Sequence, residues 1–139
     1  MTDAHGMSPR PSDVEPNMRV EQTAERPWGS WALLREGVGY KVKLIEVSPG
    51  HRLSLQLHQY RSEHWVVVSG RARVVIGDRM VELIPLESMV IPVGAVHRLE
   101  NPWPDPLVVV EVQRGEILSE EDIVRLEDDY HRVRPCGDG

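Results

Sequence analysis

From Tyr40 to Gly115, glycine and proline cut the chain into short runs of β-type residues, and this punctuation limits what it can fold into. GYKVKLIEV alternates, with Tyr40, Val42, Leu44 and Glu46 on one face and Lys41, Lys43, Ile45 and Val47 on the other. Ser48-Pro49-Gly50 follows as a turn. Gly77-Asp78 separates two apolar runs and suits a two-residue hairpin. ESMVIP, VHRLEN and PLVVVEVQRG supply the remaining strands. Many short strands with turn signals between them predict an all-β sandwich or barrel.

One segment alone reads as helix. Ser119 is a good N-cap, Glu120, Glu121 and Asp122 suit the positive end of a helix dipole, and Ile123 and Leu126 give an apolar edge. The pattern predicts a short C-terminal helix whose acidic runs, 120–122 and 127–129, face solvent. Residues 1–25 are rich in Pro, Ser, Asp and Glu without a period and read as a flexible arm. Order is expected from Arg26 onward, in one domain over 26–132, with a tail at 133–139.

The chain has 139 residues, 22 acidic against 16 Lys and Arg, for a net charge of −6. That balance disfavours nucleic acid or an anionic membrane as partner, yet a few local arginines can still hold a phosphate. Cys136 is the lone cysteine, which suits a reducing compartment. There is no apolar run of signal-peptide or transmembrane length, so a cytoplasmic location is expected.

The chemistry concentrates in LSLQLHQYRSEHWVVVSG, residues 53–70. In strand geometry Leu53, Leu55 and Leu57 share one face, while Ser54, Gln56 and His58 share the other. On the next run Glu63, Trp65 and Val67 oppose His64, Val66 and Val68. If the two strands pair, Glu63 returns close to His58, the beginning of a metal site built from Gln, His and Glu.

Two spaced patterns extend this. Gly50-x5-Gln56-x-His58-x4-Glu63-x6-Gly70 and Pro92-x-Gly94-x2-His97-x3-Asn101 together resemble the two signature motifs of the cupin superfamily. Those proteins are double-stranded β-helix (jelly-roll) barrels that usually hold one divalent metal. Gln56 stands where the family commonly has a histidine, and Leu86 stands where the second motif usually opens with glycine. ERPWGSW, YKVKLIEVSPG, IPVGAVHRLENP, VVVEVQRG and SEEDIVRLEDDY narrow the resemblance to the C-terminal domain of type II phosphomannose isomerases, often fused to a mannose-1-phosphate guanylyltransferase. The nucleotidyltransferase half is not in this sequence, so guanylyltransferase activity is not expected.

The resemblance implies metal ligands Gln56, His58, Glu63 and His97. It implies one divalent ion, zinc foremost, with Fe, Mn, Co and Ni as alternatives that accept mixed nitrogen and oxygen donors. It further implies reversible isomerisation of mannose 6-phosphate and fructose 6-phosphate. Arg61 and Arg98 are candidates for binding phosphate or stabilising an enediolate, and Lys43 and Glu111 for a polar wall. Glu111 and His64 are candidate bases. The family's run of three histidines reads His58-Gln59-Tyr60 here, which leaves a non-catalytic or differently specific sugar-phosphate-binding cupin as the second reading. An iron oxygenase is a third, disfavoured by Gln56. If the polar face points into the barrel, the three leucines point out and need a cover, which predicts a homodimer.

Overall fold

The computed structural model describes residues 22–132. They form twelve strands: β1 (Gln22–Arg26), β2 (Gly29–Gly37), β3 (Tyr40–Val47), β4 (His51–Arg52), β5 (Leu55–Leu57), β6 (Arg61–Ser69), β7 (Ala72–Ile76), β8 (Arg79–Leu83), β9 (Ser88–Ile91), β10 (His97–Asn101), β11 (Leu107–Gly115) and β12 (Val124–Glu127). One sheet runs β1-β2-β3-β11-β6-β9. The other runs β12-β5-β10-β7-β8, with β4 also on β10, and every pairing is antiparallel. Among these residues no helix is long and apolar enough to cross a membrane.

The expected all-β architecture is present, and its alternation is clean where both faces have a use. On β11, Leu107, Val109, Glu111 and Gln113 are buried while Val108, Val110 and Val112 are only partly covered. On β6 the inner set is Arg61, Glu63, Trp65 and Val67. Trp28, Trp31, Ile45, Val47, Val67, Val74, Leu99, Leu107 and Val109 belong to one apolar cluster between the sheets. Gly77-Asp78 makes the two-residue turn joining β7 to β8, with Ile76 opposite Arg79. Gly70, which closes the first motif, has φ +82°, and a Cβ there would stand 2.3 Å from the Pro106 carbonyl oxygen. No side chain fits that crossing.

Three expectations need correction. First, the short C-terminal helix is absent. Ser119 caps a single turn, accepting from the Glu121 N–H and, through its carbonyl, from the Asp122 N–H. The Asp122 carbonyl is then taken by the His58 ring, and Val124–Glu127 pairs with β5 as a strand. Competition from tertiary partners for those carbonyls stops the helix.

Second, the acidic runs are only partly a solvated face: Glu120, Glu121, Glu127 and Asp129 are exposed, but Asp122 is buried, and Glu120, Glu127, Asp128 and Asp129 each pair with a cation. Third, Leu53 does not point outward. The strand is interrupted at 53–54, where the Leu53 N–H donates to the Leu99 carbonyl and its side chain joins the core; only Leu55 and Leu57 are half-exposed. The three-leucine outer face from which a homodimer was inferred therefore does not exist. Order also starts earlier than Arg26, because β1 begins at Gln22; the rest of the arm and the 133–139 tail lie outside the described residues.

Candidate metal centre

Strand register assembles the centre. Gln56 on β5 stands directly opposite His97 on β10, His58 follows at the end of β5, and Glu63 enters from β6 in the facing sheet. His58, Glu63 and His97 are all buried, and one ligand atom from each lies within 4.8 Å of the others. His58 Nε2 is 3.1 Å from Glu63 Oε2, and His97 Nε2 is 3.8 Å from Glu63 Oε1. Atoms bound about 2.0–2.2 Å from one zinc ion stand roughly 3–3.5 Å apart, so the spacing is close to that of a shared cation.

The tautomers point the same way. His58 Nδ1 lies 2.7 Å from the Asp122 carbonyl oxygen and His97 Nδ1 2.8 Å from that of Ala95. A carbonyl only accepts, so both Nδ1 atoms carry the hydrogen, and both Nε2 atoms turn toward Glu63. His97 Nε2 has no hydrogen-bond partner although it is fully buried. A buried acceptor left unsatisfied is costly, and backbone carbonyls orienting imidazoles in this way are the usual support of metal-binding histidines. The donor set therefore fits a divalent cation.

Gln56 is turned so that Oε1 accepts from Ser54 Oγ at 2.6 Å, while Nε2 lies 3.4 Å from His58 Nε2. Exchanging its amide ends would bring Oε1 to the cluster, since a serine hydroxyl also accepts.

Around the centre runs a cleft lined by Lys43, Arg61, Trp65, Glu111, Gln113 and Glu120, with Trp28 and Trp31 on its apolar side. Arg61 Nε donates to Glu63 Oε2 at 2.8 Å. Trp65 Nε1 donates to Glu63 Oε1 at 3.2 Å and to Glu111 Oε2 at 2.9 Å, while Gln113 Nε2 donates to Glu111 Oε1 at 2.9 Å.

Burial pushes Glu63 up, but the adjoining His58 ring and the Arg61 charge outweigh it and hold its carboxyl well below the usual range. For Glu111 burial and the neighbouring Glu63 charge act together and push it up to about 8, against the opposing pull of Arg61 and Lys43. His97 is lowered by burial, only partly offset by Glu63. Two carboxylates on adjacent inner strands thus hold opposite protonation states near neutrality.

Of the residues singled out from sequence, Glu63, Gln56, Arg61, Lys43 and Glu111 line this cleft, and His58 and His97 meet it through Glu63. Arg98 does not: its guanidinium donates to the Leu53 carbonyl and to the Glu127 carboxylate and carbonyl, which pins β12. Being next to His97 on a strand sends it to the opposite face. His64 faces away from the cleft for the same reason. Gln59 and Tyr60 are exposed beyond His58 and contribute only their N–H groups, to the Asp122 carboxylate. Neither side chain lines the cleft.

Sequence reasoning missed Asp122, Glu120 and Gln113. Gln113 was visible as the inward neighbour of Glu111 at i+2. The other two were hidden by the helical reading of 119–127.

Residues 13–128 match the model of the family described as mannose-6-phosphate isomerase C-terminal. The chain belongs to that family. Alginate biosynthesis protein AlgA of Pseudomonas aeruginosa is 51% identical to this isomerase-type domain over 108 residues, 78% of this chain but 22% of the relative. Mannose-1-phosphate guanylyltransferase ManC of Salmonella typhimurium shares 51% over the same length and proportions, and mannose-1-phosphate guanylyltransferase of Escherichia coli 48% over 115 residues, 83% and 24%. Among solved structures, the capsular polysaccharide assembling protein CapF of Staphylococcus aureus superposes with TM-score 0.65 at 23% identity over 76% of this chain and 34% of CapF. The cupin-2 protein Rru_A2000 of Rhodospirillum rubrum gives 0.58 at 21% over 67% of each. These structures establish the fold, a cupin double-stranded β-helix.

The coverage corrects one expectation. The chain spans about a quarter of the length of the curated relatives it matches, and those relatives carry names of guanylyltransferases and polysaccharide biosynthesis proteins. What is shared is an isomerase-type C-terminal domain in a sugar-phosphate-related enzyme family. The identity of a self-sufficient isomerase interconverting mannose 6-phosphate and fructose 6-phosphate does not follow.

Proposed function

We propose that this domain is a divalent-metal site for acid–base chemistry on a phosphorylated sugar, with His58, Glu63 and His97 holding the ion, Gln56 as a fourth donor and zinc as the ion. The observation that carries it is the unpartnered, buried Nε2 of His97, aimed with His58 at the Glu63 carboxylate. The family description and the names of the relatives support a phosphorylated sugar as substrate class. A metal here would polarise sugar oxygens and stabilise negative charge developing on them.

The chain's own residues divide the remaining work. Arg61 keeps Glu63 ionised, and its other guanidinium nitrogens reach the Ser119 carbonyl and His58 Nε2, so it braces the cluster from the cleft side. Lys43 supplies a second buried cation for the anionic end of the substrate. Glu111, held by Trp65 and Gln113 in a fixed orientation, faces Lys43 across β3 and β11 and is the group placed to carry a proton to or from the sugar. Trp28, Trp31 and Trp65 keep that transfer away from bulk water.

The test is solvent exchange. Metal-loaded protein is incubated with hexose 6-phosphates in D2O, and the proton beside the carbonyl carbon is followed by NMR. The expected result is metal-dependent loss of that signal, absent after chelation and in Glu111→Gln. A folded, metal-loaded sample that exchanges none of them overturns the proposal.

A further inference from the structure

Lys43 is a buried cation whose ion-pair partner comes from an unexpected place. Its side chain is 4% exposed, yet Nζ lies 2.5 Å from Glu120 Oε2, on a turn whose carboxylate side chain is 42% exposed. Lys41 Nζ stands 3.9 Å from the same oxygen. The Lys43 ammonium also sits 3.9 Å from the centroid of the Trp31 ring, which stabilises a cation at this spot without neutralising it. Ammonium groups from two lysines thus converge on one carboxylate at the cleft mouth, and the indole face backs the nearer of them.

The rest of that turn is secured without Glu120. Asp122 accepts the Gln59 and Tyr60 N–H groups through its side chain and the His58 ring through its carbonyl, and the Ser119 carbonyl receives Arg61 Nη1 at 3.3 Å. Glu120 can therefore leave by rotating its own side chain, with the His58 support in place.

We infer that Glu120 is an internal stand-in for the phosphate of the substrate: its carboxylate closes an anion site made by Lys43 and Lys41, with the Trp31 face behind holding the Lys43 ammonium in place, and an incoming phosphate displaces it. The site takes a tetrahedral dianion, and exchange of one anion for another keeps the buried Lys43 paired throughout, so no uncompensated charge is left in the cleft wall. Glu120 accordingly competes with ligand and lowers its affinity. The alternative role, a lock that simply holds the turn down, makes the opposite prediction for its removal. The inference rests on the sugar-phosphate reading for the identity of the anion.

The test titrates inorganic phosphate into the full metal-free chain by calorimetry, so it requires neither metal nor turnover. Glu120→Gln should bind phosphate about tenfold more tightly than the wild type, the effect of removing one competing charged hydrogen bond. Glu120→Asp, whose shorter side chain reaches Lys43 poorly, should fall between the two. Adding Lys43→Met to Glu120→Gln should abolish the gain; sulfate should compete with phosphate in Glu120→Gln, a check that stands even if the double variant does not fold. Unchanged or weaker phosphate binding in both Glu120 variants overturns the inference, as does a gain that survives Lys43→Met or resists sulfate. Absence of proton exchange in D2O alongside tightened phosphate binding would sink the proposed chemistry and leave this anion site standing. Exchange activity with no gain in Glu120→Gln would do the reverse.

Discussion

The two ends of the barrel are built from the same strands and do different things. On β11 the inner face is Leu107 and Val109 at one end and Glu111 and Gln113 at the other; on β6 it is Val67 and Trp65, then Glu63 and Arg61. The apolar end merges into the core around Val47, Val74 and Leu99. The polar end carries the histidine–carboxylate cluster and its cations. The β11–β3 ladder, unbroken from Leu107 to Arg114, thus lets the closely packed half hold charged side chains of the other half in fixed positions, which a loop-borne site could not do as well.

Breaking the apolar end should cost stability and spare the chemistry. Leu107 is fully buried, and Leu107→Ala is expected to lower unfolding free energy by roughly 2–5 kcal/mol. Urea unfolding measures this, while metal affinity of the folded fraction should not change. A smaller effect is expected where the ends communicate. Asp122→Ala frees the segment whose carbonyl orients His58 and should weaken metal binding roughly 10–100-fold, as loss of a ligand's support generally does. Calorimetric titration reads it, and an unchanged affinity would show that Asp122 does not position the ring.

The polar end should also reveal itself through pH in the metal-free protein. Glu111 is pushed up to about 8 from an ordinary 4.5, so the folded chain keeps a proton that the unfolded chain releases. Its contribution to stability is complete below about pH 4.5 and is lost as pH rises toward 8. Glu63, held low, works in the other direction: its contribution is present above its ordinary value and lost on acidification. Denaturant midpoints measured between pH 5 and 8 should therefore fall more steeply with pH in the wild type than in Glu111→Gln. Parallel curves would contradict the buried protonated state of Glu111.

The smallest effect sharpens the comparison from outside the cleft. Leu86 adopts φ +79° on the surface, a left-handed conformation that costs a non-glycine residue about 1–2 kcal/mol. Leu86→Gly should raise stability by about 1 kcal/mol, less the entropy of the added freedom, with metal and phosphate binding unchanged.

Much of the polar end was legible because strand periodicity is a strong local rule. Alternation places Gln56 and His58 on one face, and spacing brings Glu63 and His97 into the same pattern. The odd leucine at 86, where glycine usually opens the second motif, shows in the structure as a positive φ.

What could not be read depended on contacts distant in sequence. The 119–127 segment has real helix-start chemistry, but His58, Gln59, Tyr60 and β5 outbid it for Asp122 and the strand that follows. Arg98 looked like a substrate ligand because nothing local announces that Glu127 and the Leu53 carbonyl will occupy it. Leu53 turned inward because the break at 53–54 resets the alternation.

The most direct test of the metal-binding polar end is calorimetric titration of zinc into the chelator-stripped protein, beside His97→Ala and Glu63→Gln. The account predicts one ion per chain for the wild type and loss of that binding in both variants, with each remaining folded by its far-ultraviolet spectrum. Stoichiometric binding that persists in both variants, or none in the folded wild type, would contradict it.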